Sequence, residues 1–176
     1  MIAALKRVVA YGRLDREEAR NAMLGMMTGG GSDTLTASFL TVYNLRQPTL
    51  EELQGFVDAL MALCESIVLD AADAVDIVGT GGDGKNTFNI STLSALIVAA
   101  AGVRVVKHGN YGSTSICGSS NLLQALGYRF TNDKDVLAKQ LAHANICFLH
   151  APLFHPLMAR MKQVRRDLGV QTIFNL

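Results

Sequence analysis

The stretch from Val75 to Thr92, VDIVGTGGDGKNTFNIST, constrains this chain more than any other. It reads as a short apolar strand, a glycine-dense turn and a polar segment that opens a long apolar helix. A strand that hands amides and hydroxyls to a helix N-terminus makes an anion site, because unpaired N–H groups and the helix dipole both favour negative charge. Phosphate is the guest this pattern predicts.

The spelling fits three phosphate patterns. Gly79, Gly81 and Gly84 satisfy GxGxxG, but a dinucleotide fold also needs an acid about 20 residues on, at the end of the second strand. That strand ends in Val105, Val106, Lys107 and His108, with no carboxylate for a ribose hydroxyl. Gly79 to Lys85 fits GxxxxGK, yet Asn86 stands where a nucleotide P-loop uses Ser or Thr on magnesium. The apolar run Ile146 to Leu149 ends in His150 and so brings no metal-binding Asp.

A third pattern uses a second polar loop, Lys107-His108-Gly109-Asn110-Tyr111-Gly112-Ser113-Thr114-Ser115. Two successive strands, each ending in glycine, hydroxyls and a cation, converge at the C-terminal edge of a parallel sheet, where α/β folds bind ligands. Two phosphate cradles suit a substrate carrying more than one phosphate. With GTGGDG (Gly79 to Gly84), NIST (Asn89 to Thr92), KHGN (Lys107 to Asn110), GSSNLLQALG (Gly118 to Gly127) and HPLMARMKQVRRDLGVQTIFNL from His155 to the end, the chain resembles the anthranilate phosphoribosyltransferase family of tryptophan biosynthesis.

The resemblance implies transfer of a phosphoribosyl group from phosphoribosyl pyrophosphate to anthranilate, with Mg2+. It sets the donor against Gly79, Gly82, Asp83, Thr87, Asn89, Ile90, Ser91 and Thr92 in the first loop. In the second it sets the donor against Lys107, His108, Gly109, Asn110, Tyr111, Gly112, Ser113, Thr114, Ser115 and Ser119. Anthranilate falls against Gly79, Asn110 and Arg165, and the metal at Ser91. No catalytic nucleophile is implied. Charge builds on the departing pyrophosphate and on the sugar, so donors and placement suffice.

Three positions depart from the commonest family pattern: Tyr111 stands where arginine is frequent, Ile116 where lysine is frequent and Asn121 where aspartate is frequent. Family members also continue past the FNL segment through a further α/β portion carrying an Asp-Glu pair for magnesium, and the family form is a homodimer. The alternatives are a pyrimidine nucleoside phosphorylase-like enzyme, or a truncated, catalytically silent phosphate-binding chain or subunit.

Other features bound the reading. A net charge of +1 implies no polyanion-binding surface, so no nucleic-acid partner is expected. Cys64, Cys117 and Cys147 lack CxxC spacing and read as reduced thiols. The longest apolar stretch, Ala95 to Val103, is too short to span a bilayer, and no cleavable leader pattern is present. The expectation is a cytoplasmic protein with no membrane partner.

The fold expected is α/β: a small N-terminal helical bundle over 1–70, followed over 71–176 by the first part of a mainly parallel phosphoribosyltransferase domain. Ile2, Leu5, Val8 and Val9 share one helical face. Asp15 with Glu18, and Thr49 with Glu52, read as capping boxes, the second opening a helix from Leu53 to Val68. A helix is expected over Leu35 to Tyr43, and Met23, Met26, Met27 and Met61 are expected in the core.

From Val75 strands and helices alternate: Asp76 to Val78, Ser91 to Ala101, Val103 to Val106, Ser119 to Leu126, Asn145 to Leu149, then a helix over 155–168. Thr172 to Phe174 reads as a strand or a link. The resemblance implies that the helix over 155–168 packs toward the bundle and that a cleft lies between the two domains.

Overall fold

The computed structural model describes residues 1–79, 87–112, 117–170 and 172–175. The chain folds as two compact units, one formed by Met1–Cys64 with His155–Leu176, the other by Glu65–Phe154. No helix among the described residues is long and apolar enough to cross a membrane.

The helical unit contains α1 (Ile2–Val9), α2 (Arg16–Thr28), α3 (Asp33–Leu45) and α4 (Leu50–Ala62). Both capping boxes form. The Asp15 carboxylate accepts the Glu18 amide while the Glu18 side chain accepts the Asp15 amide, and Thr49 and Glu52 repeat the exchange at α4. Ser32 caps α3, and α2 ends on Gly29 at φ +89°, a conformation suited to glycine.

Buried Met23, Met26, Met27, Phe39, Tyr43 and Phe56 form the core of this unit. Phe56 meets Tyr43 and Phe39 edge-on, with centroids 5.3 and 6.2 Å apart.

Gly55 lets α2 and α4 approach closely: a Cβ there would lie 2.2 Å from the Arg16 carbonyl oxygen and 2.8 Å from Ala19 Cβ. Gly55→Ala is expected to lower stability by about 1–3 kcal/mol, the usual cost of overpacking, read from urea midpoints. An unchanged midpoint would mean that the helices separate freely.

Two expectations for this unit are corrected. The fourth helix begins at Leu50, directly after its Thr49 cap, and ends at Ala62, short of the expected Val68. The Glu65 amide instead donates to the Phe154 carbonyl, at 2.8 Å, inside the second unit. Met61 is 65% exposed, because α4 buries Glu52, Gly55, Phe56 and Ala59 on its other face.

After the second unit the chain returns through α9 (Met158–Leu168), whose buried Met161 and Val164 lie on one face one turn apart. Met161 joins the core of the helical unit, with Met158, Ile173 and Phe174 packed against it. The final residues, expected as strand or link, form a 3₁₀ turn at Ile173–Asn175.

The second unit holds α5 (Ile90–Ala100), β1 (Val105–Gly109), α6 (Ser119–Ala125), α7 (Lys134–Ala144), β2 (Ile146–His150) and the short α8 (Ala151–Phe154). β1 and β2 pair in parallel, with Lys107 opposite Phe148 and Gly109 opposite His150. Ala95, Ala99, Val105, Leu123, Ile146 and Phe148 form the core. Helix α7 is absent from the sequence expectations, although Asp133 caps it through the Asp135 and Val136 amides and Leu137 and Leu141 form its buried face.

The strand expected at Asp76 to Val78 is replaced by a single parallel bridge from Val75 to Val105. The cause is visible in the ladder. The Val106 amide donates to the Val75 carbonyl at 3.0 Å, but the His108 amide, which a continuing parallel ladder would give to Ile77, goes to the Asp76 carboxylate at 3.3 Å. The Ile77 carbonyl is satisfied by Lys107 Nζ at 2.6 Å instead.

Candidate phosphate-binding site

The first loop follows the Val75 bridge, and its described residues are those up to Gly79 and from Thr87 onward. Gly82 and Asp83 lie outside the described residues, so nothing is assigned to them. Gly79 faces the N-terminus of α5: a Cβ built on it would sit 3.9 Å from Ser91 Oγ, an ordinary contact.

At the N-terminus of α5 the donors are open. Asn89 occupies the cap position but makes no side-chain cap bond. The Ile90 amide donates to Phe88 and the Leu93 amide to Asn89. Neither the Ser91 nor the Thr92 amide has a partner among the described residues. Thr92 Oγ1 is fully buried and likewise without a hydrogen-bond partner there. A buried hydroxyl left unpaired costs about 1–3 kcal/mol, so a polar guest at this end would satisfy it. Thr87 is exposed, Ser91 is half-buried, and the Ile90 side chain is 52% exposed.

Lys107, expected as a point charge on phosphate, is only 2% exposed. Burial lowers its pKa and the nearby Asp76 carboxylate opposes that shift. Its bond to Ile77 places the ammonium beneath the segment that leads into Gly79. His108 pairs through Nδ1 with Asp76. This pair sits at the rim of an open cavity of about 400 Å³, otherwise walled by apolar side chains that include Ile67, Leu69, Val106 and Leu149.

In the second loop much of the polarity is spent internally. The Tyr111 amide donates to Asn110 Oδ1 at 2.8 Å, and the Gly112 and Gly118 amides both donate to Asn121 Oδ1 at 3.0 Å. The Asn110 carbonyl accepts from Ser120 N and, at 3.3 Å, from Ser119 Oγ. Asn110 Nδ2 therefore remains as the group of that side chain able to meet a ligand.

Gly109 and Gly118 serve close packing. A Cβ on Gly109 would lie 2.4 Å from Ser119 Oγ, and one on Gly118 would lie 2.2 Å from the Gly112 nitrogen. Ser113, Thr114 and Ser115 lie outside the described residues. Among those described, the two loops meet where Asn89 Nδ2 donates to Cys117 Sγ at 3.8 Å.

Arg165 lies on α9 in the helical unit, half-buried, with its guanidinium 5.6 Å from the centroid of the Phe174 ring. Burial lowers its pKa. Its neighbour Arg166 is exposed. All three thiols are free, and burial raises that of Cys147 to about 11.

Sequence reasoning missed Asp76, which stops the ladder and holds His108, and, though it noted Asn121 as a departure, missed that this residue's one oxygen ties both ends of the second loop. An amide three residues into a helix that follows a glycine was the available signal for Asn121. It also left unassigned the pairing of Ser120 Oγ with His150 Nδ1, at 2.9 Å.

The chain belongs to the glycosyl transferase family, matching its helical bundle domain over residues 2–64 and its a/b domain over residues 71–176. It is 52% identical over 172 residues to an anthranilate phosphoribosyltransferase of Cytophaga hutchinsonii, a match covering 98% of this chain and 52% of that protein. The crystal structure of anthranilate phosphoribosyltransferase from Thermus thermophilus superposes with a TM-score of 0.87 at 37% identity, over 98% of this chain and 52% of that one. The Saccharomyces cerevisiae enzyme in complex with PRPP and Mg gives the same score, 0.87, at 28% identity, over 99% and 52%. The chain thus spans about half the length of the relatives it matches.

Proposed function

We propose that this chain carries the donor-binding part of an enzyme that transfers the phosphoribosyl group of phosphoribosyl pyrophosphate to the amine of anthranilate. The observation that carries the reading is the open end of α5: Ser91 and Thr92 amides and a buried Thr92 hydroxyl without partners among the described residues, beside a glycine that leaves the approach clear. The names of the relatives support this substrate pair over a nucleoside phosphorylase.

In the proposed step the bond from the anomeric carbon to the pyrophosphate oxygen breaks, a bond to the anthranilate nitrogen forms, and the proton lost from that nitrogen passes to water or to the departing pyrophosphate. Negative charge gathers on the departing pyrophosphate. The Ser91 and Thr92 amides, the Thr92 hydroxyl and the α5 dipole are fixed donors for that charge and need no reorganisation as it develops. The buried Lys107 ammonium, held at the Ile77 carbonyl, adds positive potential on the approach to Gly79. Asn110 Nδ2 orients the acceptor, and the family resemblance assigns the acceptor's carboxylate to Arg165.

Magnesium usually takes one or two carboxylates together with substrate phosphates. Among the described residues the donor set offers the Ser91 hydroxyl and no group of three acidic, His or Cys side chains. These residues do not hold the ion by themselves. Magnesium enters the proposal with the donor, and no step depends on a protein-held ion. A cytoplasmic location and a homodimer of the full-length form complete the reading.

Calorimetric titration of the chain with phosphoribosyl pyrophosphate and magnesium, with and without anthranilate, tests the proposal. Saturable donor binding is expected, and its absence in folded protein would sink the assignment. The chain has no Trp, so anthranilate fluorescence can be followed directly. Arg165→Ala is expected to weaken anthranilate by roughly 10- to 100-fold, with less effect on the donor, as loss of a charged hydrogen bond predicts. Equal weakening of both would reassign Arg165 to the phosphates or to the fold.

A further inference from the structure

A line of aromatic rings runs from the core of the second unit to the second loop. Phe148 meets Tyr128 at 4.9 Å between centroids, Tyr128 meets Phe130 at 5.2 Å, and Phe130 stacks on His150 at 4.3 Å with 19° between planes. The Tyr111 ring then stands edge-on to His150 at 4.9 Å and 83°. His150 is 5% exposed, whereas Tyr111 is 41% exposed, so the line passes from the interior to the loop surface.

His150 reaches the loop by a second route. Its Nδ1 is 2.9 Å from Ser120 Oγ, and the Ser120 amide donates to the Asn110 carbonyl. Tyr111 and Asn110, adjacent in sequence, are thus both tied to one imidazole. Burial lowers the pKa of His150 and so favours its neutral ring.

We propose that His150 is a positioning residue for the substrate-binding loop, its ring serving as the platform for Tyr111 and its Nδ1 fixing Asn110 through Ser120. The inference rests on the reading that this loop binds substrate. It gives the departure at Tyr111 a physical account: where a cation is frequent, this chain places a ring that docks on an imidazole.

The test compares wild type with His150→Ala, His150→Phe and Tyr111→Leu, measuring melting temperature, donor affinity with magnesium by calorimetry, and amide exchange at Gly112. His150→Ala removes both routes, and its donor affinity is expected to fall about 10-fold, the combined worth of a ring pair and a buried hydrogen bond. His150→Phe keeps the platform and should recover about half of that loss on a logarithmic scale. Tyr111→Leu, which empties the platform from the loop side without touching the buried histidine, should match the loss that His150→Phe escapes.

Gly112 exchange, which needs no ligand, should quicken about 10-fold in His150→Ala while exchange at Leu137 and Leu141 in α7 stays unchanged. Donor affinity and Gly112 exchange both unaltered in His150→Ala, or no recovery in His150→Phe, would overturn the proposal. If His150→Ala does not fold, the His150→Phe and Tyr111→Leu pair decides. If wild type binds no donor, the functional reading fails, and Gly112 exchange still decides whether His150 holds the loop.

Discussion

Glu52→Ala is expected to lower the stability of the chain by about 3–5 kcal/mol, the usual cost of stripping one partner from a buried ion pair. Glu52 is fully buried. Its Oε1 accepts from Leu14 N at 3.0 Å, Tyr43 Oη at 3.1 Å and Arg46 Nη2 at 2.6 Å. Its Oε2 accepts from Arg46 Nη1 at 2.9 Å and Thr49 N at 2.8 Å. One carboxylate therefore joins the start of α4, the end of α3 and the segment before α2. Removing it leaves the Arg46 guanidinium without its counter-ion, holding the Gln47 and Gly12 carbonyls, while its Nε is already unpaired among the described residues.

The same residue sets an acid dependence. Burial alone would raise the Glu52 pKa, but hydrogen bonds from Arg46 and from the Thr49 and Leu14 amides outweigh it and bring it to about 2. A carboxylate depressed on folding contributes stability that is present above its ordinary value and lost as pH falls toward the folded value. The window is from about 4.5 down to 2, and the contribution is roughly 3 kcal/mol. Urea unfolding at pH 7 and at pH 3 should therefore show the gap between wild type and Glu52→Gln narrowing in acid. A pH-independent gap, or a Glu52→Ala midpoint equal to wild type, would show that the network carries no net stability.

What the sequence made legible was local. Asp15 with Glu18 and Thr49 with Glu52 declared themselves because each donor and acceptor lie three residues apart. The second role of Glu52, against Arg46 and Leu14, left no such mark. The start of α5 was readable because glycines, hydroxyls and an apolar helix follow one another directly. The interruption after Val75 was not, since it depends on Lys107 reaching Ile77 and on Asp76 reaching His108, about 30 residues away in the chain. Periodicity fixed that α4 has an apolar side without saying which apolar residues lie on the outer face, hence the error at Met61. His150 read as a strand-ending residue lacking a carboxylate. Its use became visible only when the parallel register set it opposite Gly109, with Tyr111 folded onto it.

Gly79→Val is expected to weaken donor binding by about 100-fold, which corresponds to roughly 2.7 kcal/mol, while leaving the fold intact. The two halves of that expectation come from different observations. For the fold, the Cβ position is open: the nearest group is Ser91 Oγ at 3.9 Å, and Gly79 has no positive φ that would strain an L side chain. For the ligand, the same space is the approach to the open Ser91 and Thr92 amides. A β-branched side chain there holds phosphate oxygens beyond the distance of about 2.7–3.2 Å at which an amide bonds them. Gly79→Ala serves as the graded control and should fall between wild type and the valine variant. Gly118→Ala should behave oppositely, losing stability because its Cβ would lie 2.2 Å from the Gly112 backbone nitrogen. A folded Gly79→Val protein with wild-type donor affinity would place the pyrophosphate elsewhere and remove the N-terminus of α5 from the site.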